Sequence, residues 1–255
     1  MEPPVLQTHG LTIRFGGHVA VSAVSCAFRP GTLTAIVGPN GAGKTTYFNL
    51  VSGQLRAASG RVSLYGEDIS ALSASQRTHR GIGRAFQLTN LFPRLTVLEN
   101  VRLAVQSRRR EGLNLWSVWL DHRSTLERAH ALVERVKLGD RAADRASSLP
   151  HGDQRKLEVA MLMALEPSVY MFDEPTAGMS VDDVPVILDL IRGLKAQQDK
   201  TILLVEHKMD VVRELADRII VLHNGQLVAD GEPAAVIASP VVQNAYLGIT
   251  TAEAA

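Results

Sequence analysis

The segment Gly38-Pro39-Asn40-Gly41-Ala42-Gly43-Lys44-Thr45 follows directly on the apolar run Leu33-Thr34-Ala35-Ile36-Val37. Its spacing is G-x-x-x-x-G-K-[ST], with a short buried strand before it and a helix-compatible segment after it. Glycines let such a backbone curl until successive N–H groups point inward as an anion nest. The helix expected to open near Lys44 adds unpaired N–H groups and the positive end of its dipole. Lys44 then reaches the β- and γ-phosphates of a nucleotide, and the Thr45 hydroxyl sits on Mg²⁺. A fold that presents this loop must carry a buried strand that ends where a helix begins.

The 255 residues suffice for one large α/β domain or two small ones, and 45% hydrophobic content supports a sizeable core. A formal net charge of +1 gives no general pull toward nucleic acid or membrane. The single cysteine, Cys26, has no internal disulfide partner, which points to a reducing compartment, and reads as a small buried residue. Met1-Glu2-Pro3-Pro4 lacks the layout of a signal peptide. No apolar run approaches the roughly twenty residues that span a bilayer. The expectation is a cytoplasmic chain that serves a membrane only through partners.

Along the chain, Val5-Leu6, Leu11–Ile13, Val19–Val21 and Val62–Tyr65 read as short strands. Thr96-Val97-Leu98-Glu99 is a capping box that starts a helix at Val97. From there to about Ala164 the pattern is helical, with Leu126, Ala129, Leu132, Val133 and Val136 on one stripe. Val169–Phe172 and Thr201–Val205 are continuous apolar runs, suited to strands buried on both faces. Val184, Ile187, Leu188, Ile191 and Leu194 make a helical stripe between them, and Asn224-Gly225 predicts a hairpin joining Arg218–His223 to Gln226–Asp230. Met161, Met163 and Met171 read as core filler, and Thr250–Ala255 as a frayed tail. The architecture expected is a three-layer α/β core interrupted by a helical insertion over roughly residues 88–160.

Asp173-Glu174 ends one apolar strand, and His207 follows Glu206 at the end of the other. Parallel strands bring their C-terminal ends together, so Asp173, Glu174 and His207 should converge on the loop holding the γ-phosphate. Asp173 is placed to hold Mg²⁺ through water and Glu174 to polarise an attacking water. As an acidic N-cap of the next segment, Glu174 has a purely structural alternative.

With these residues in this order, the chain resembles the ATP-binding subunits of ABC transporters nearly end to end, over residues 5–248, with 249–255 as a flexible tail. The resemblance implies a P-loop NTPase core, an antiparallel β subdomain, the inserted helical subdomain, and ATP hydrolysis coupled to transport. Gly38–Thr45, with Thr46, takes the place of the Walker A loop, and Val169–Asp173 that of Walker B. Glu174 takes the place of the catalytic base, and His207 that of the switch histidine. Gln87 matches the Q-loop glutamine, which contacts Mg²⁺ with Thr45 and Asp173. Met179-Ser180-Val181-Asp182 occupies the D-loop, and Phe15, before Gly16-Gly17, matches the aromatic that stacks on adenine.

The signature motif departs from the family's Leu-Ser-Gly-Gly-Gln pattern, reading Leu149-Pro150-His151-Gly152-Asp153 before Gln154-Arg155. Pro150 supplies neither a hydroxyl nor an N–H to a γ-phosphate held by an opposite subunit. Asp153 places a carboxylate where a neutral amide is usual, opposing phosphate charge. The alternative is that Pro150 simply pre-sets the start of a helix. In a head-to-tail pair with a partner of regular signature, the site completed by this signature is expected to be the slower one.

Arg14–Gly17, Gly83–Gln87 with Leu91-Phe92, Arg155–Ala160, Glu206–Met209, Tyr246–Gly248 and an insertion carrying Trp116 and Trp119 resemble the branched-chain amino-acid uptake branch of this family. That implies a second ATP-binding subunit, two membrane permeases, a separate solute-binding protein, no nucleic acid, and a place on the cytoplasmic face of the inner membrane. Leu91 and Phe92 are the expected permease contact. Arg108-Arg109-Arg110 reads as a solvated helix end, or as a contact with anionic lipid. The alternative function is an ABC ATPase working on nucleic acid or ribosomes without a permease.

Overall fold

The structure, a computed structural model, describes residues 3–85, 91–109 and 122–247. Expectations at Gln87, Leu88, Arg110, Trp116, Trp119, Gly248 and 249–255 lie outside those residues. In chain order the elements are β1 (Leu6–Phe15), β2 (His18–Phe28), β3 (Leu33–Val37), α1 (Lys44–Ser52), β4 (Ser59–Leu64), β5 (Glu67–Asp68), α2 (Ala74–Arg80) and β6 (Ile82–Ala85). Then follow α3 (Val97–Arg109), α4 (His122–Arg135), α5 (His151–Ala164), β7 (Val169–Asp173), α6 (Val184–Lys195), β8 (Thr201–Val205) and α7 (Met209–Leu215). The described chain closes with β9 (Arg218–His223), β10 (Gln226–Gly231), α8 (Pro233–Ile237) and α9 (Pro240–Leu247).

The chain divides into two compact units. The first comprises Met1–Ile82, Ser168–Glu174 and Lys195–Ala255. One sheet runs β2-β1-β4-β5, antiparallel throughout, and a larger one runs β10-β9-β3-β8-β7-β6. In the larger sheet β8 lies parallel to β3 and to β7, and β9 parallel to β3. Every residue of β3, β7 and β8 is buried, which explains their unbroken apolar sequences. Each fully buried Leu, Ile or Val there contributes about 1.5–3 kcal/mol relative to exposure. The Asn224-Gly225 turn has φ of 48° and 75°, the left-handed pair that a two-residue hairpin between twisted strands requires.

The N-terminal strands are longer than the sequence pattern predicts. The apolar clusters at 5–6, 11–13 and 19–21 belong to two long strands, β1 and β2, whose register shifts between Thr8 and Leu11 and again near Ile13. Those irregularities break the alternation by which a continuous strand is read.

α2 opens with a capping box in which Ser73 and Gln76 bond each other's backbone N–H. From its middle, the buried Arg77 guanidinium donates to the carbonyls of Leu50 and Val51, at 2.8 and 2.7 Å, in the last turn of α1. It also donates to Ser70 and Leu72 at 3.0 and 3.2 Å. One cation thus closes the C-terminus of the helix that follows the phosphate loop, where the helix dipole is negative. Arg77→Met should cost about 3 kcal/mol by orphaning these carbonyls, lowering the melting temperature by roughly 6–12 °C. Thermal unfolding followed by circular dichroism checks it; an unchanged midpoint contradicts the role.

The second unit comprises Gly83–Pro167 and Pro175–Leu194. Its helix α3 begins where the capping box predicts: Glu99 N–H donates to Thr96 Oγ1 at 3.1 Å, and Thr96 N–H to Glu99 Oε2 at 2.8 Å. The helical pattern expected to about Ala164 is interrupted between 136 and 150. Lys137 has φ of 58°, and two short 3₁₀ turns, Gly139–Arg141 and Ala146–Ser148, precede Pro150. The left-handed Lys137 ends α4, its N–H and that of Leu138 closing on the Glu134 and Val133 carbonyls, and Pro150 at the N-cap starts α5. On the α4 stripe Ala129, Leu132, Val133 and Val136 are buried, whereas Leu126 is exposed. α6 buries Ile187, Leu188, Ile191 and Leu194, as its spacing predicts.

Candidate functional site

The phosphate loop is built by close backbone packing. Gly43, the N-cap of α1, has φ of 96°, and a β-carbon there would lie 2.4 Å from the Ala20 carbonyl. A β-carbon at Gly38 would lie 2.1 Å from the Leu222 carbonyl of β9. Only glycine fits either position. Lys44 is buried in the first turn of α1, and its Nζ donates to the carbonyls of Gly38 and Pro39 at 2.7 and 2.9 Å, bracing the loop. Burial lowers its pKa, and the charges of Glu174 and Asp173 oppose that effect. Thr45 and Asn40 are exposed, and Pro39, Gly43 and Thr46 are half-buried.

The acids come from the neighbouring strands. β3 and β7 flank β8, in a register that sets both Ile36 and Asp173 opposite Val205. Their C-terminal ends are therefore level. Asp173 is buried as the last residue of β7. Glu174 follows with φ of 50°, an unusual value for a side chain with a β-carbon and a cost of about 1–3 kcal/mol. Its N–H is pinned to the Val205 carbonyl at 2.9 Å. The turn aims its carboxylate at His207, where Oε1 accepts from Nε2 at 2.6 Å.

His207 is in turn placed by Glu206. That carboxylate is 3% exposed and accepts from the His207 N–H at 2.7 Å and from the Lys208 N–H at 3.3 Å. In the sequence, Glu206 is marked only as an acid directly after an apolar strand, one residue past Val205, as Glu174 is one past Asp173 on the strand beside it. Phe15 lies at the end of β1 with half of its surface exposed, next to the left-handed Gly16.

The signature residues lie in the second unit. Leu149 is buried, Pro150 is the N-cap of α5 with φ of −56°, His151 is exposed, and Gly152 and Asp153 are half-buried in the first turn. The Asp153 carboxylate lies 3.0 Å from Lys156 Nζ and 3.4 Å from Arg141 Nη1, so its charge is compensated from within the unit. Among the described residues no three His, Cys, Asp or Glu side chains gather into a cation cage. No helix of the described residues is long and apolar enough to cross a membrane.

Residues 21–177 match the family model described as ABC transporter. The chain is 38% identical over 253 residues to the high-affinity branched-chain amino acid transport ATP-binding protein LivG of Salmonella typhimurium, covering 97% of this chain and 99% of that one. It is similar in structure to the ADP conformation of MJ1267, an ATP-binding cassette of an ABC transporter, with a TM-score of 0.81 and 29% identity, covering 97% of this chain and all of that one. A dimeric post-hydrolysis state of the cassette MJ0796, bound to ADP and Pi, superposes with a TM-score of 0.78 at 25% identity, covering 89% and 98% of the two chains.

Proposed function

Because the chain belongs to the ABC transporter family of ATP-binding cassettes, we propose that it hydrolyses ATP to drive import of branched-chain amino acids, or a related small solute, through partner permeases. The observation that carries the hydrolytic reading is the Glu174–His207 hydrogen bond at the level ends of β7 and β8, within electrostatic reach of Lys44. Likeness to LivG over nearly its full length supports the solute class and favours a transport subunit over a ribosome- or nucleic-acid-linked ATPase.

In this reading the loop N–H groups and Lys44 hold the phosphates, and Phe15 packs on adenine. Glu174 accepts a proton from the water that attacks the γ-phosphorus. His207, fixed by Glu206, orients that carboxylate through Nε2 and contacts the γ-phosphate as the nucleotide closes the site. Thr45, Asp173 and Gln87 would hold Mg²⁺; an exposed hydroxyl and a strand-end carboxylate fit a hard cation that keeps several waters and phosphate oxygens. When bound, that ion neutralises charge on the β- and γ-phosphate oxygens. The working unit is a head-to-tail pair of cassettes on the cytoplasmic face of the inner membrane. In that pair, residues 149–153 contact the γ-phosphate held by the partner.

Phe92 supports the docking site. Buried Asn100 accepts from the Phe92 N–H at 2.8 Å and donates to its carbonyl at 3.1 Å, so α3 fixes the backbone while the ring stays half exposed. A large ring held outward on a fixed backbone fits an interface better than solvent. Phe92→Asp should cut uptake at least about fivefold while ATP binding by the isolated chain stays unchanged. Unaltered uptake displaces the interface. The experiment for the whole reading is reconstitution with branched-chain amino-acid permeases and a solute-binding protein. ATPase should rise with leucine, isoleucine or valine; no response to any of them refutes the solute class.

A further inference from the structure

The first turn of α5 and the segment leading into α6 are joined by charged side chains, all within the second unit. Lys156 Nζ lies 3.0 Å from Asp153 Oδ1 and 2.5 Å from Asp183 Oδ1. The Ser180 hydroxyl donates to Asp183 Oδ2 at 2.7 Å, and the Asp183 N–H donates back to Ser180 Oγ at 3.2 Å. Arg141 stands 3.4 Å from the second Asp153 oxygen. The backbones approach as well: a β-carbon at Gly152 would meet Asp183 Oδ2 at 2.7 Å, and one at Gly178 would meet His151 Cε1 at 3.4 Å.

Two acids and two bases cancel in charge, and Lys156, the centre of the set, is 7% exposed. A buried ammonium is retained only where carboxylates surround it. Here the second carboxylate comes from the position at which the sequence departs from the signature pattern. We propose that Lys156 is a positioning residue that latches the signature turn to residues 178–183, and that Asp153 replaces the usual amide to complete this latch. The two segments then move as one body. In the proposed head-to-tail pair both of them reach the partner's nucleotide, and on that reading the functional part of the proposal rests.

The charges persist across neutral pH. Burial lowers the Lys156 pKa, but hydrogen bonds to Asp183 and Asp153 outweigh it, and the net shift is upward from 10.5. Its contribution is therefore present below 10.5 and lost only as pH rises through the raised value. The Asp183 pKa is lowered from 3.8, first by Lys156 and then by Ser180. Its contribution is present above 3.8 and lost only as pH falls through the lowered value.

The test uses the full chain assembled with its partner subunits, carrying Lys156→Gln, Asp183→Asn, both together, or Lys156→Arg. Each single neutral variant should lower kcat about tenfold with KM for ATP unchanged, and the double variant should be no worse than either single, as for residues acting in one unit. Lys156→Arg should keep most of the activity. Amide exchange at residues 178–184 should quicken in the neutral variants by more than any fall in the melting temperature of the chain accounts for. Multiplying losses, unchanged kcat, or a fall that only tracks lost folded protein overturns the latch. A wild-type assembly without ATPase activity faults the functional reading instead, and the exchange at 178–184 then decides the latch by itself.

Discussion

Lys44→Ala should weaken ATP binding by about a hundredfold or more. The buried ammonium is the side-chain cation of the phosphate loop, and hydrogen bonds to charged groups are worth about 1.5–3 kcal/mol each, with every 1.4 kcal/mol a factor of ten. The same substitution also takes a donor from the Gly38 and Pro39 carbonyls, so the loop loses its brace along with its charge. Lys44→Arg separates the two effects. Its planar fork keeps the charge but not the compact ammonium geometry, and it should recover only part of the affinity. Calorimetric titration with ATP reads both variants, with the melting temperature as the check on folding. Near-normal affinity of Lys44→Ala places the nucleotide elsewhere.

Glu174→Gln should leave ATP binding intact and reduce turnover by about 10²–10⁴-fold, the range that general-base catalysis commands. The amide keeps the size of the side chain and a hydrogen bond to His207 but accepts no proton from water. Glutamine also tolerates the left-handed backbone at 174 no worse than glutamate, so the fold should be untouched. A chain that binds ATP without hydrolysing it should accumulate as an ATP-bound dimer, seen as a shift on size exclusion. Undiminished hydrolysis by the assembled transporter moves the base to another residue.

Sequence patterns located the strands that carry the candidate site more fully than the elements around them. The fully buried strands β3, β7 and β8 read correctly because unbroken apolar runs have few other uses, and parallel pairing then levels Ile36, Asp173 and Val205. The Asn-Gly hairpin was legible for an equally local reason. β1 and β2 were legible only in pieces, since their register shifts disrupt the alternating pattern. Leu126 fitted the stripe of α4 by spacing yet stands at the surface, because period alone does not say where a stripe ends.

Asp153 shows a different limit. Read in the signature, it is a carboxylate aimed against phosphate. In the fold its charge is met by Lys156, one turn ahead, and by Arg141, which approaches only because the chain folds back between α4 and α5. The first partner was visible at i+3; Arg141, and the Asp183 that shares Lys156, were not. Glu206 was hidden for a related reason: its role is to hold the backbone of His207, and backbone bonds leave no motif.

The central claim is that Lys44, Asp173, Glu174 and His207 form one ATP-hydrolysing site. Its most direct test is the identity of the nucleotide retained by the purified assembly after incubation with Mg²⁺ and γ-labelled ATP. Wild type should retain ADP and release labelled phosphate, whereas Glu174→Gln should retain ATP with its label in place. ADP retained by Glu174→Gln, with phosphate released at the wild-type rate, contradicts it.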